Sequence, residues 1–178
     1  FDGEEYDARE PMGYECVDKL STPEENTEFS GDILPSDGAE VYLRTDLALA
    51  PVKAYVWKNV EGAKENEFGK VIIAREFASG TEMTVSPGET LVVDFGQNCA
   101  SVPSFVFKAA EGTVLTCLPA ELLNDGNGAK IRGMDGPEGS CHRENLRIPH
   151  TGIRLDYTFA SGDNYVAYYP HCTFFGYR

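Results

Sequence analysis

The sequence predicts an all-β domain, an antiparallel β-sandwich over residues 45–178, preceded by an extended acidic segment. Short apolar and β-branched runs recur between turns that carry Gly or Pro. Several of these runs alternate with period two, as a half-buried strand does. No stretch of the chain carries a helix-length pattern of period 3.6 between them.

Taken in order, Phe1–Glu10 reads as an extended strand or exit segment. Met12–Leu20 has no clean period. Ser21–Glu40 is rich in Ser, Thr, Pro, Gly and acids, the composition of a surface linker. Residues 1–44 are therefore set apart, as the end of a preceding module plus an acidic linker. From Pro51, Val52, Ala54 and Val56 alternate with Lys53, Tyr55 and Trp57, which suits a strand with one buried face and an aromatic second face. Lys58–Lys70 reads as a polar loop, followed by short strands at Val71–Ala74 and Glu82–Val85 with turns at Ser79-Gly80 and Ser86-Pro87-Gly88.

Leu91–Phe95, Val102–Lys108 and Thr113–Leu118 follow as three strands of an antiparallel meander. Gly96-Gln97-Asn98 and Glu111-Gly112 form its turns. Pro119 closes it, having no N–H to give to a central ladder. Ala120–Asn124 is a strand or a short helical turn. Asn124–Gly139 carries five glycines, and a loop of that length without secondary structure is the best place to look for a docking or ligand contact. Asn145–His150 reads as one more strand or edge. Ile153, Leu155, Tyr157 and Phe159 alternate with polar residues in a clear half-buried strand; Tyr165–Tyr169 reads as its hairpin partner and Cys172–Tyr177 as the last strand.

Composition narrows the function. The formal charge of −14 is concentrated at the front: residues 1–40 hold 13 acids against Arg9 and Lys19, while residues 41–178 hold 16 acids against 13 bases. A sequence isoelectric point near 4.5 with no Lys/Arg cluster argues against nucleic acid and against an anionic membrane surface. No apolar run approaches the roughly 20 residues of a membrane span, and no charged-then-apolar leader is visible. The chain opens and closes inside what read as motifs, so a piece of a longer polypeptide is expected. Cys16, Cys99, Cys117, Cys141 and Cys172 lack CxxC spacing and read as separate thiols, with a Cys141–Cys172 bridge as the alternative.

Asp94, just before Gly96, and Asn98 suit hydrogen bonds to the following turn, as short Asx side chains commonly make; sugar contact is the competing role. Trp57 and Tyr168 are either core aromatics or a sugar-stacking surface. Asp125-Gly126-Asn127-Gly128 has a superficial likeness to a calcium loop, but Ala129, Lys130 and Gly136 stand where a ligand, a glycine and a glutamate are needed. Cys141-His142 and His171-Cys172 lack zinc spacing. No metal and no cofactor is expected.

Four separated blocks carry a resemblance: Asp2–Glu10 (DGEEYDARE); Asp94 to Asn98 (DFGQN) with Gly112-Thr113; Ala120, Glu121, Leu123, Asp125 and Gly126; and Tyr169, Pro170, Thr173, Gly176 and Arg178. In that order they resemble the β-sandwich domain that precedes the catalytic barrel of bacterial α-L-rhamnosidases. The chain departs from that pattern at Cys99–Pro103 and at Phe175 and Tyr177 while keeping strand character. The resemblance implies a jelly-roll or concanavalin-like fold and a parent polypeptide that is an inverting glycoside hydrolase, periplasmic, secreted or cytoplasmic in a bacterium. It places the catalytic acid and base on the helical barrel, so no catalytic residue is expected here. The barrel and rhamnosides are the implied partners, with Glu121 implied to face the barrel and Asp125 grouped with it as a docking candidate. A carbohydrate-binding module that holds rhamnose-containing glycans without hydrolysis is the alternative.

Overall fold

A computed structural model describes residues 3–10, 43–126, 136–146, 153–160, 165–170 and 175–178. The expected acidic linker, most of the Gly-rich loop, Cys16 and Cys172 lie outside these described residues. The chain divides into two units, Phe1–Arg9 together with Leu49–Arg178, and Glu10–Ala48. In the second unit a short 3₁₀ turn spans Thr45–Leu47, with Arg44 and Asp46 ion-paired beside it.

The first unit is an all-β, antiparallel sandwich. Its strands are β1 (Gly3–Asp7), β2 (Lys53–Glu61), β3 (Lys70–Phe77), β4 (Thr90–Asp94), β5 (Cys99–Ser101), β6 (Phe105–Phe107), β7 (Val114–Cys117), β8 (Leu122–Leu123), β9 (Cys141–His142), β10 (Arg154–Thr158), β11 (Val166–Tyr168) and β12 (Phe175–Tyr177). They form two three-stranded sheets, β3-β2-β4 and β1-β10-β7, and three two-stranded ribbons, β6-β11, β5-β12 and β8-β9.

Each three-stranded sheet packs its own core. Tyr55, Val71 and Val92 form one buried cluster, with Trp57 and with Leu123 and Cys141 of the β8-β9 ribbon against it. The other centres on Tyr157, Phe159 and Tyr168, joined by Tyr6, Phe105, Phe107 and Leu115. Its rings meet mostly edge-on or tilted: Phe107 lies 4.7 Å from Tyr157 and 4.8 Å from Phe159, at 61° and 62°. These are the geometries that bring the positive edge of one ring to the negative face of the next. The alternation expected for residues 153–159 holds, since Ile153, Leu155, Tyr157 and Phe159 are all buried.

Several sequence expectations need correction. Residues 91–118 do not form a meander, because β4 pairs with β2, β6 with β11, and β7 with β10. Nor is β11 the hairpin partner of β10. Local sequence marks strands by residue type, but it leaves the choice of partner to side chains far along the chain. The run expected at Val102–Lys108 shortens to β6, with Pro103 before it unable to donate to a ladder, and a separate strand, β5, forms ahead of it at Cys99–Ser101. The supposed polar loop 58–70 is largely a hairpin: β2 runs on to Glu61, with irregular register around Trp57. Glu82–Val85 is not a strand. Finally, Gly3–Asp7 joins the sandwich unit as the parallel neighbour of β10, although the sequence reading grouped it with residues 1–44. A partner some 150 positions away leaves no local trace.

Side chains hold the 84–89 turn in place of a ladder. Arg75 donates to Glu89 Oε1 at 2.9 Å and to the Thr84 carbonyl at 3.2 Å, and Ser86 N–H donates to Glu89 Oε2 at 2.8 Å. The Arg75 guanidinium, helped by the Ser86 amide, lowers the Glu89 carboxyl from its ordinary 4.5 to about 2. A depressed folded-state value means that this stabilisation is complete above pH 4.5 and is lost as pH falls toward 2. Glu89→Gln should therefore flatten the acid-unfolding profile over that window and leave its slope unchanged above it. Circular dichroism at stepped pH checks this, and parallel profiles would show that the pair contributes nothing.

Candidate functional site

Asp94 ends β4 and is 5 % exposed. Its Oδ1 accepts the Gly96 N–H at 2.7 Å, an Asx bond that turns the chain, and Gly96 takes φ 79°, a left-handed conformation suited to glycine. The turn bond expected for Asp94 is thus present. The same oxygen accepts Arg178 Nε–H at 3.3 Å, across 84 residues of sequence. Arg178 also donates its backbone N–H to the Ala120 carbonyl at 3.0 Å, and Val52 N–H donates to the Asp94 carbonyl at 2.8 Å. One buried carboxylate therefore sits where β4, the start of the 120–126 segment and the end of β12 meet.

Glu121 is next to this junction and is half-buried. Asn145 Nδ2 donates to its Oε2 at 3.2 Å. Its carboxyl end lies directly against Gly176 of β12, where an added Cβ would stand 2.8 Å from Glu121 Cδ and 2.9 Å from Cγ. Only a residue without a side chain lets Glu121 keep this position. Two of the sequence blocks, 120–126 and 169–178, are thus in contact through the residues that define them.

A third tie is made by Asn124, which is 2 % exposed. Its backbone N–H donates to the Ser140 carbonyl at 2.8 Å and its Nδ2 to Ser140 Oγ at 2.8 Å. Gly139 N–H returns to the Asn124 carbonyl at 3.0 Å, and Tyr55 Oη donates to the Gly139 carbonyl at 2.5 Å. Burial pushes the Tyr55 phenol up to about 12 and so keeps it a donor. The described end of the Gly-rich loop is in this way bolted to the β2 sheet.

Residues 84–178, more than half of the chain, match the family described as bacterial alpha-L-rhamnosidase concanavalin-like domain. The chain belongs to this family. No curated protein and no solved structure matches it.

Within the rhamnosidase concanavalin-like domain the sequence-derived candidates separate. Asp94 and Glu121 are brought to one junction. Asn98 is exposed in the turn after Gly96, and Asp125 is exposed two residues beyond β8. Tyr168 is 6 % exposed inside the aromatic cluster, and Trp57, half-buried, packs on the Tyr55 cluster. A depression of about 480 Å³ at the turn end of the β2–β3 hairpin is lined by Glu61, Glu67, Lys70, Gly126 and Glu138. Glu67 is paired with Lys64 at 3.2 Å and Glu138 with Lys70 at 3.0 Å.

Asn145 and Ser140 escaped the sequence reading, having no motif of their own; Asn145 lay in a run read as a strand. Cys117 behaves as a structural thiol: burial, with Cys141 nearby, pushes it up to about 12, far from the thiolate a reactive cysteine needs.

Gly176→Ala should displace the Glu121 side chain and lower stability by up to about 1 kcal/mol, the loss of its hydrogen bond to Asn145. In a Glu121→Ala background the same change should be clearly milder, a coupling of at least about 0.5 kcal/mol. A urea-denaturation double-mutant cycle reads this directly, and strict additivity would show that the two residues do not oppose each other.

Proposed function

We propose that this chain is a non-catalytic sandwich of a multidomain α-L-rhamnosidase, packing against the catalytic barrel and orienting it while the barrel hydrolyses terminal α-L-rhamnosyl residues. One observation carries the reading: two of the carboxylates at the domain's motif positions, Asp94 and Glu121, are engaged with the sandwich's own groups. Asp94 accepts from Gly96 and Arg178, and Glu121 accepts from Asn145 while lying against Gly176. Glycoside hydrolysis needs two carboxyl groups open to a sugar and, for inversion, to a water between them. Carboxylates consumed as strand ties are unsuited to that work.

Trp57 and Tyr168 bear on the sugar-binding alternative. A stacking surface requires ring faces open to solvent; Tyr168 is buried in its cluster, and Trp57, half-buried, packs against the Tyr55 cluster.

The full natural polypeptide should hydrolyse an aryl α-L-rhamnoside, and the present chain alone should not. Turnover by this chain alone would overturn the non-catalytic assignment. Absence of turnover by the folded full polypeptide, with rhamnoside binding retained by this chain, would favour the carbohydrate-binding module.

A further inference from the structure

β1 is the one parallel partner among the described strands. Its register on β10 runs from Gly3↔Arg154 to Asp7↔Thr158, and Ala8 N–H extends the pairing to the Thr158 carbonyl at 3.0 Å. Among the described strands it lies at the edge of its sheet and bonds β10 alone. Tyr6 fixes it to the core, with its ring stacked at 5.3 Å on Tyr157 and 5.1 Å from Tyr168. Ala8 packs beside it on the same cluster. The segment also carries a local brace, since Asp7 accepts both the backbone N–H of Arg9, at 3.0 Å, and its Nε–H, at 2.8 Å. Between this strand and β2 stands a separate unit, Glu10–Ala48.

We propose that the β10 edge, together with the ring-sized slot formed by Tyr157 and Tyr168, is a strand-acceptor groove for an extended peptide bearing a tyrosine. Residues 3–9 fill it as a separable ligand carried on the same chain. This is recognition by strand addition, in which backbone hydrogen bonds give affinity and pockets for alternate side chains give specificity. Glu5 projects outward and exposed, whereas Tyr6 enters the slot. Covalent attachment through residues 10–48 holds the local concentration of the segment high, so in the intact chain the groove stays occupied.

The test uses the whole chain with a single protease site inserted between Ser30 and Gly31, cut after folding. The N-terminal piece should remain bound through gel filtration at micromolar concentration. A labelled peptide of residues 1–10 should exchange into the nicked protein but not into the uncut chain. Its Tyr6→Ala form should compete about tenfold or more weakly, having lost the ring contacts. The groove is refuted if the piece separates while the remainder keeps its near-ultraviolet circular dichroism. It is equally refuted if the Tyr6→Ala peptide exchanges as well as the native one, or if the uncut chain takes up peptide as readily as the nicked one.

Discussion

Asp94 accepting from both Gly96 and Arg178 is the interaction on which the arrangement of the sandwich depends. A carboxylate removed from water is tolerated only with donors aimed at it, and breaking one side of such a pair leaves a buried charge behind. Here the two donors come from opposite ends of the matched region: one turns the chain immediately after β4, and the other arrives with the last strand. The bond from Arg178 N–H to Ala120 and the contact of Gly176 with Glu121 place β12 beside the 120–126 segment. This matters because most strand pairs in the unit join distant residues. β5 pairs with β12, β6 with β11, and β7 with β10. Each such pairing closes a long loop before any contact compensates, so polar ties that define one register help to select it over slipped ones.

The strands themselves were largely legible in the sequence, and their partners were not. Alternation at residues 153–159 and the apolar run at 91–94 reveal β10 and β4, because a half-buried pleat demands that pattern wherever it lies. Nothing in Val166–Tyr168 says that it will lie beside Phe105–Phe107 instead of returning on β10. The arm Lys58–Lys70 was misread for a related reason: its strands carry Lys, Asn and Glu on exposed faces, which in sequence is indistinguishable from loop. At the junction, Asp94 revealed its local turn but not Arg178, and Glu121 revealed its motif but not Asn145. Side-chain pairs that meet only after folding leave residue types in the sequence without the distances between them.

The motif residues serve the folding of this domain before anything else. A pattern shared across a family marks positions under physical constraint, and in this domain the constraint is the closing of a sandwich. Gly176 fits it because any side chain would displace Glu121, and Gly96 because the turn after Asp94 needs a left-handed residue. The aromatic residues serve equally internal ends, with Tyr6, Phe107, Tyr157 and Tyr168 forming one ring cluster that joins four separate strands. In this domain the motif residues Asp94, Gly96, Glu121, Gly176 and Arg178 serve the joining of its own strands.

The most direct measurement compares the full natural polypeptide with its Arg178→Met variant, following sandwich unfolding in denaturant and kcat on an aryl α-L-rhamnoside in parallel. The account predicts that the unfolding transition of the sandwich moves to lower denaturant, by about 1–3 kcal/mol for a charged hydrogen bond lost at a buried acceptor, while kcat per folded molecule is unchanged. An unmoved transition together with a collapse of kcat would contradict it, and would make Asp94 and Arg178 part of the catalytic machinery.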